Sequence, residues 1–461
     1  MVFSSLIFIF AYLVITLLVY YLSPLKLRNL VLFIVSLAFY GWGEPAYILL
    51  MLVSIISSYL FGFLIEKNRG TNQKKAKVFL ILSLAVNLSF LLFFKYYNFF
   101  ADNIGFSRID GLTLPVGISF YTFQIMSYSI DLYRGQVPVA QKFVPFGTYV
   151  TLFPQLIAGP IVMYRDVYMQ LQSRKESVSK FASGVNRFVL GLSKKIILGD
   201  SAAALAEAME ASESFQPTVI GTWLIMIAYT FHIYFDFSGY SDMAIGLGRM
   251  IGFEFAENFN YPYIARSITD FWRRWHITLS TWFRDYIYIP LGGNRVGKLR
   301  SFFNLAVVWF LTGFWHGADW NYILWGVYFW VFLVLEKTFL RKLLEKCKPI
   351  AHLYSLLVIG FGWTIFFHSD LTEIASSALR MIGIGAEWGS TGLLYTVLRW
   401  LPFLLLCGLA CTPYPKRIAE WLKNKFTAAE ALSPVVVSIL LLISIAYMVN
   451  DTFSPFLYYI F

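Results

Sequence analysis

Apolar stretches of membrane-crossing length recur from one end of this chain to the other, and they decide what it can fold into. A helix needs about 20 mostly apolar residues to cross the hydrocarbon core. Runs of that kind begin near residues 4, 29, 46, 78, 114, 181, 218, 301, 320, 350, 395 and 432. They predict an all-α polytopic membrane protein with roughly 11–12 transmembrane helices plus re-entrant segments. Composition agrees: 58% of residues are hydrophobic and only 14% charged, against about 25% charged in soluble domains. In water such a chain would present large apolar patches and aggregate. Stretch 144–162 is also apolar, but Pro145, Pro154, Gly159 and Pro160 interrupt it. It reads as a broken or re-entrant helix, tolerated only where protein or a water-filled cavity covers the backbone. The first apolar run lacks a basic leader and a small-residue cleavage site, so it reads as a retained helix.

The net charge of +11 is not a nucleic-acid signal, because the positives are spread over loops between helices. Lys67, Arg69, Lys74, Lys75 and Lys77 share one loop. Arg341, Lys342, Lys346 and Lys348 share another, and Lys416, Arg417, Lys423 and Lys425 a third. The alternate loops are nearly bare: 101–113 holds only Arg108, 201–217 has no Lys or Arg, and 369–394 holds only Arg380. Basic loops stay on the cytoplasmic side. Both termini are therefore expected on the outer side of the membrane.

No linker divides the chain, so residues 1–461 read as a single membrane-embedded domain ending in a helix and tail, 430–461. No internal repeat is visible, which weakens a transporter reading. One region breaks the rhythm of helix and loop. From Phe235 to Arg300, polar and apolar residues mix densely, with Asp236, Asp242, Glu254, Glu257, Asp270 and Asp285 among arginines that include Arg273 and Arg274. Charged groups at membrane depth are costly unless paired or facing water, so their density marks a site or a cytoplasmic entrance. The plainer alternative is an amphipathic interfacial helix with snorkelling arginines.

Neutral imidazole is the usual general base near pH 7. Of five histidines, His316 stands out in FLTGFWHGADWN, at the outer end of an expected helix 301–316. Gly313 and Gly317 flank it and leave little bulk around the ring, and Asp319 is placed to orient it. His276 lies in FWRRWHITLS, on the cytoplasmic side by the charge count. Two histidines approaching from opposite faces suit a cross-membrane tunnel. His232, His352 and His368 read as structural. Among the competing chemistries, no GxSxG elbow, Walker A pattern or HExxH occurs. No Cys/His metal spacing occurs either, and no metal is expected. Cys347, Cys407 and Cys411 read as small hydrophobes.

Four stretches together resemble the membrane-bound O-acyltransferase superfamily: SFYTFQIMSYSIDLYRG (119–135), FPQLIAGPI (153–161), the Asp236–Arg295 stretch and FWHGADWNYILWG (314–326). Within it the likeness is nearest the alginate O-acetyltransferase branch, and the teichoic acid D-alanyl transfer proteins are more distant. The resemblance puts the family's invariant histidine at His316 and its second polar position at His276. One departure is Met163, where relatives often carry Arg after GPIV; Arg165 follows two residues later.

The resemblance implies acetyl transfer across the membrane from a cytoplasmic thioester, with acetyl-CoA as donor and no bound cofactor. Asp236, Arg273, Arg274 and Asp319 are the donor or tunnel candidates, and the basic segment 266–300 would attract the donor's phosphates. The implied partners are an extracytoplasmic SGNH-type transferase and a polysaccharide acceptor. The chain ends FSPFLYYIF, similar to a tyrosine motif of this branch. Tyr458 there is a candidate relay that carries the acetyl group after activation by His316. An interfacial aromatic belt is the alternative. Acyl transfer from a carrier protein, D-alanyl included, is the second enzymatic reading.

Overall fold

The computed structural model of the chain describes residues 2–450 apart from 158, 213, 214 and 216. Among the described residues it is helical without strands, and one isolated bridge joins Thr218 and Glu387. Eight helices among the described residues have the length and apolarity to cross a membrane: Leu25–Gly43, Pro45–Arg69, Gln73–Ile104, Val219–Met250, Trp320–Leu344, Lys348–Phe367, Leu393–Ala410 and Glu430–Asn450. The chain is thus a multi-pass membrane protein. The other four expected crossings are also helical, as Phe8–Leu22, Ile118–Arg134, Val178–Ser193 and Lys298–His316. They are shorter or more polar than a lipid-facing span. Ile118–Arg134 shows why: residues 118–129 are all buried, so polar groups there face protein partners rather than lipid.

Contacts gather the chain into two compact units. The first comprises residues up to Val189 together with Tyr240–Glu257. In it Pro45–Arg69 and Gln73–Ile104 form a hairpin joined by small polar residues. Asn87 Nδ2 donates to Ser58 Oγ at 2.9 Å, and Ser83 and Ser129 hydroxyls meet at 2.9 Å. Such pairs hold helices together where burial in lipid supplies no hydrophobic drive. The interrupted stretch is indeed broken, into Phe143–Thr151 and Phe153–Leu156. Pro154 supplies no backbone donor. At the break the Phe153 N–H donates to Ser36 Oγ at 3.1 Å, which satisfies a backbone group that lipid could not. Met163 is buried at the start of Tyr164–Gln172, and Arg165 faces Asp131 at 4.0 Å and Asp166 at 3.9 Å.

The second unit comprises Leu190–Gly239 and the chain from Asn258 onward. Its frame is the hairpin of Lys298–His316 and Trp320–Leu344. Here the glycines do something the sequence did not disclose. A Cβ on Gly313 would strike the Tyr322 carbonyl, one on Gly326 the Trp309 carbonyl, and one on Gly317 the Tyr322 ring. They admit close packing of the two helices, and Gly317 is filled by an aromatic ring rather than left open beside the imidazole.

Candidate active site

Between Asn258 and Phe283 the second unit is held by specific hydrogen bonds rather than by long helices. Ile268–Trp272 starts on Ser267, whose hydroxyl accepts from Asp270 N. Buried Glu336 accepts from Ile268 N at 2.5 Å and Thr269 N at 2.9 Å. A second short helix, Ile277–Phe283, begins directly after His276. His276 has φ 44° and ψ 54°, the left-handed region that a non-glycine residue rarely adopts. Such backbone persists only where the surroundings impose it, and it clusters at functional sites.

The surroundings here are Asn258. Its backbone carbonyl accepts from Ile277 N at 2.9 Å. Its Oδ1 accepts from Thr278 N at 3.3 Å and from Thr278 Oγ1 at 2.9 Å, and lies 3.1 Å from His276 Nδ1. The Thr278 backbone N–H can only donate, so it fixes which amide atom faces this cluster. Nδ1 of His276 must then carry the proton, and Nε2 of the neutral ring is left as an acceptor. Burial pushes the His276 pKa down to about 3, so the ring is neutral at physiological pH. Asn258 was missed in the sequence, since nothing in ENFNYP distinguishes one asparagine from the next.

His316 is the last residue of Lys298–His316 and is buried. Aromatic rings surround it: Trp315 and Trp325 with centroids 5.1 Å away and Phe366 at 5.6 Å. Trp315 also lies 6.1 Å from the His276 ring, and Phe237 packs edge-on against His276 at 4.7 Å.

Both histidines line one cavity of about 220 Å³. Trp272, Trp275, Leu279, Phe283, Trp309 and Thr312 make most of its wall, and Arg273 and Arg284, both exposed, stand on it too. The indole Nε1 of Trp272, buried in that wall, has no hydrogen-bond acceptor among the described residues. The arrangement therefore offers two imidazoles, one spare N–H donor and two guanidiniums around a mostly apolar space.

The other sequence candidates have different surroundings. Arg274 pairs with Asp270 at 2.9 Å and donates to the Asn260 carbonyl at 3.2 Å. Asp319 accepts from Trp320 N and so caps Trp320–Leu344. Asp236 is fully buried 3.3 Å from Lys195 Nζ, which also meets Asp200 at 2.6 Å. Among the described residues no group of three or more His, Cys, Asp or Glu could hold a metal ion. Tyr458 lies outside the described residues.

Residues 139–368, which include Asn258 and both histidines, match the family profile described as MBOAT, membrane-bound O-acyltransferase family. The chain is 42% identical over 398 residues to "Probable alginate O-acetylase AlgI" of Azotobacter vinelandii, covering 84% of this chain and 79% of that protein. It is 34% identical over 426 residues to the peptidoglycan O-acetyltransferase of Helicobacter pylori, covering 83% and 80%. A teichoic acid D-alanyltransferase of Bacillus subtilis is 30% identical over 247 residues, half of this chain and 61% of that protein.

Proposed function

Because the chain belongs to the membrane-bound O-acyltransferase family, we propose that it passes acetyl groups from a cytoplasmic thioester across the membrane for O-acetylation of an extracytoplasmic polysaccharide. The observation that carries this reading is the single cavity lined by His276 and His316. His316 is the general base. It takes the proton of an acceptor hydroxyl as that oxygen attacks the thioester carbonyl. The C–S bond then breaks, and the imidazolium returns the proton to the departing thiolate. His276, neutral and poorly basic, accepts a hydrogen bond through Nε2 and positions substrate rather than taking the proton. The free Trp272 N–H is available to the oxygen on which negative charge develops.

Acetyl-CoA is the donor that suits the two cavity arginines, since guanidinium recognises phosphate. Tyr458 is the first acceptor in this reading, in an end of the chain placed outside by the loop charges. From it the acetyl group goes to an SGNH-type partner, which completes transfer to the polymer. The relatives with the longest matches are named for alginate and peptidoglycan O-acetylation, which favours a polysaccharide acceptor over D-alanylation. The membrane is the bacterial cytoplasmic membrane, with residues 1–461 acting as one domain. The test is inside-out vesicles supplied with acetyl-labelled CoA. Label should appear on wild-type protein and vanish with Tyr458→Phe. Equal labelling of both would remove the relay, and no labelling of either would remove acetyl-CoA as donor.

A further inference from the structure

A second cavity, of about 370 Å³, lies elsewhere in the second unit. Its wall comes from Val219–Met250 (Trp223, Met226, Ile227, Phe231), from Lys348–Phe367 (His352, Leu356, Leu357, Gly360) and from the end of Leu393–Ala410 with Cys411 and Thr412. The packing explains its existence. Early residues of Leu393–Ala410, namely Leu393, Val397, Trp400 and Leu404, pack on a core of Leu224, Met226 and Met381. Pro402 lies inside that helix, which runs on unbroken, and Gly408 brings no side chain to the gap.

The cavity is apolar, and cations flank in sequence two of the segments that wall it. His352, Leu356 and Gly360 repeat every four residues and share a helix face. One turn before them on the same stripe stands exposed Lys348. Just past Thr412 come exposed Lys416, paired with Glu420 at 3.9 Å, and exposed Arg417. From Lys348 to Gly360 the stripe runs about 18 Å at the rise of an α-helix. That is close to half of a hydrocarbon core about 30 Å thick, the depth of one leaflet.

We infer that this cavity holds an acyl chain of an anionic phospholipid whose phosphate sits against Lys348 and Lys416. Length, apolar wall and terminal charge fit that occupant together, and basic groups between membrane helices recognise acidic headgroups. The full-length protein in detergent is titrated with brominated-chain phosphatidylglycerol and with the matching phosphatidylcholine, reading quenching of tryptophan, of which Trp223 lines the cavity. Phosphatidylglycerol should bind the more tightly. Lys348→Gln and Lys416→Gln should each weaken it about fivefold while leaving phosphatidylcholine unchanged. Gly408→Leu should reduce quenching by both lipids; a Cβ there meets nothing within 4 Å, so the larger side chain has room. Equal affinity for the two lipids in the wild type would overturn the headgroup assignment. Quenching untouched by Gly408→Leu would overturn the cavity assignment. The lysines are surface residues, so their variants test the idea even if Gly408→Leu does not fold.

Discussion

The two histidines of the cavity reach it from opposite kinds of structure. His316 ends a regular helix whose partner lies close against it, because Gly313 and Gly326 remove every obstacle between the backbones. His276 sits in irregular chain at a left-handed residue, fixed by one asparagine 18 positions earlier. His316 is placed by the regular packing of its helix. His276 is placed by a set of hydrogen bonds that converge on Asn258. In the function proposed above the two also differ in chemistry: neutral His276 is a poor base, and proton transfer is assigned to His316.

Gly313→Leu attacks the regular side and should have the largest effect. The new side chain meets the Tyr322 backbone, which cannot yield as a side chain would. We expect a loss above about 3 kcal/mol and little folded protein in a detergent thermal melt. Normal yield would mean the hairpin is looser than its glycines indicate. Asn258→Ala attacks the irregular side. It leaves Thr278 N and His276 Nδ1 without their acceptor, at about 1–3 kcal/mol, and frees the ring to change tautomer. Melting temperature and acetyl transfer should both fall, transfer the more, and Asn258→Asp should recover part of the stability.

The third prediction concerns pH. The His276 pKa is depressed in the folded protein, so the unfolded chain takes up the proton first. The stability from burying neutral His276 is full above about pH 6.5 and is lost as pH falls toward about 3. Replacing His276 with Gln should flatten that acid limb by a few kcal/mol, whereas His276 carrying no such limb would contradict its burial. The smallest effects belong to the arginines. With acetyl-CoA as the proposed donor, Arg273→Gln should raise its KM several-fold with little change in kcat, since Arg284 stands on the same cavity wall. Arg274→Gln, which breaks a part-exposed pair with Asp270 and a hydrogen bond to the Asn260 carbonyl, should cost about 1 kcal/mol and leave KM alone.

The regular half of this comparison was legible in the sequence. Apolar length located a helix at each of the twelve runs, though not shorter helices such as Tyr164–Gln172 and Leu371–Met381, and prolines located the break between Phe143–Thr151 and Phe153–Leu156. His316 was visible as an imidazole at a helix end among glycines, although the glycines serve packing. The irregular half was not legible. Asn258 meets His276 through a fold of chain without periodicity, and hydrogen bonds of that kind leave no pattern in spacing. Asp236 and Arg274 carried the same charge signal as Arg273, yet each is engaged with a neighbouring charge. Charge in the sequence marked the region and could not sort its members.

The central claim is that His316 performs the proton transfer of acyl transfer. The direct measurement is alkali-releasable acetate on surface polysaccharide from cells making wild type or His316→Ala at equal membrane levels. The account predicts a loss on the order of 10²–10⁴-fold in the variant. Undiminished acetate would make His316 a structural residue and contradict the account.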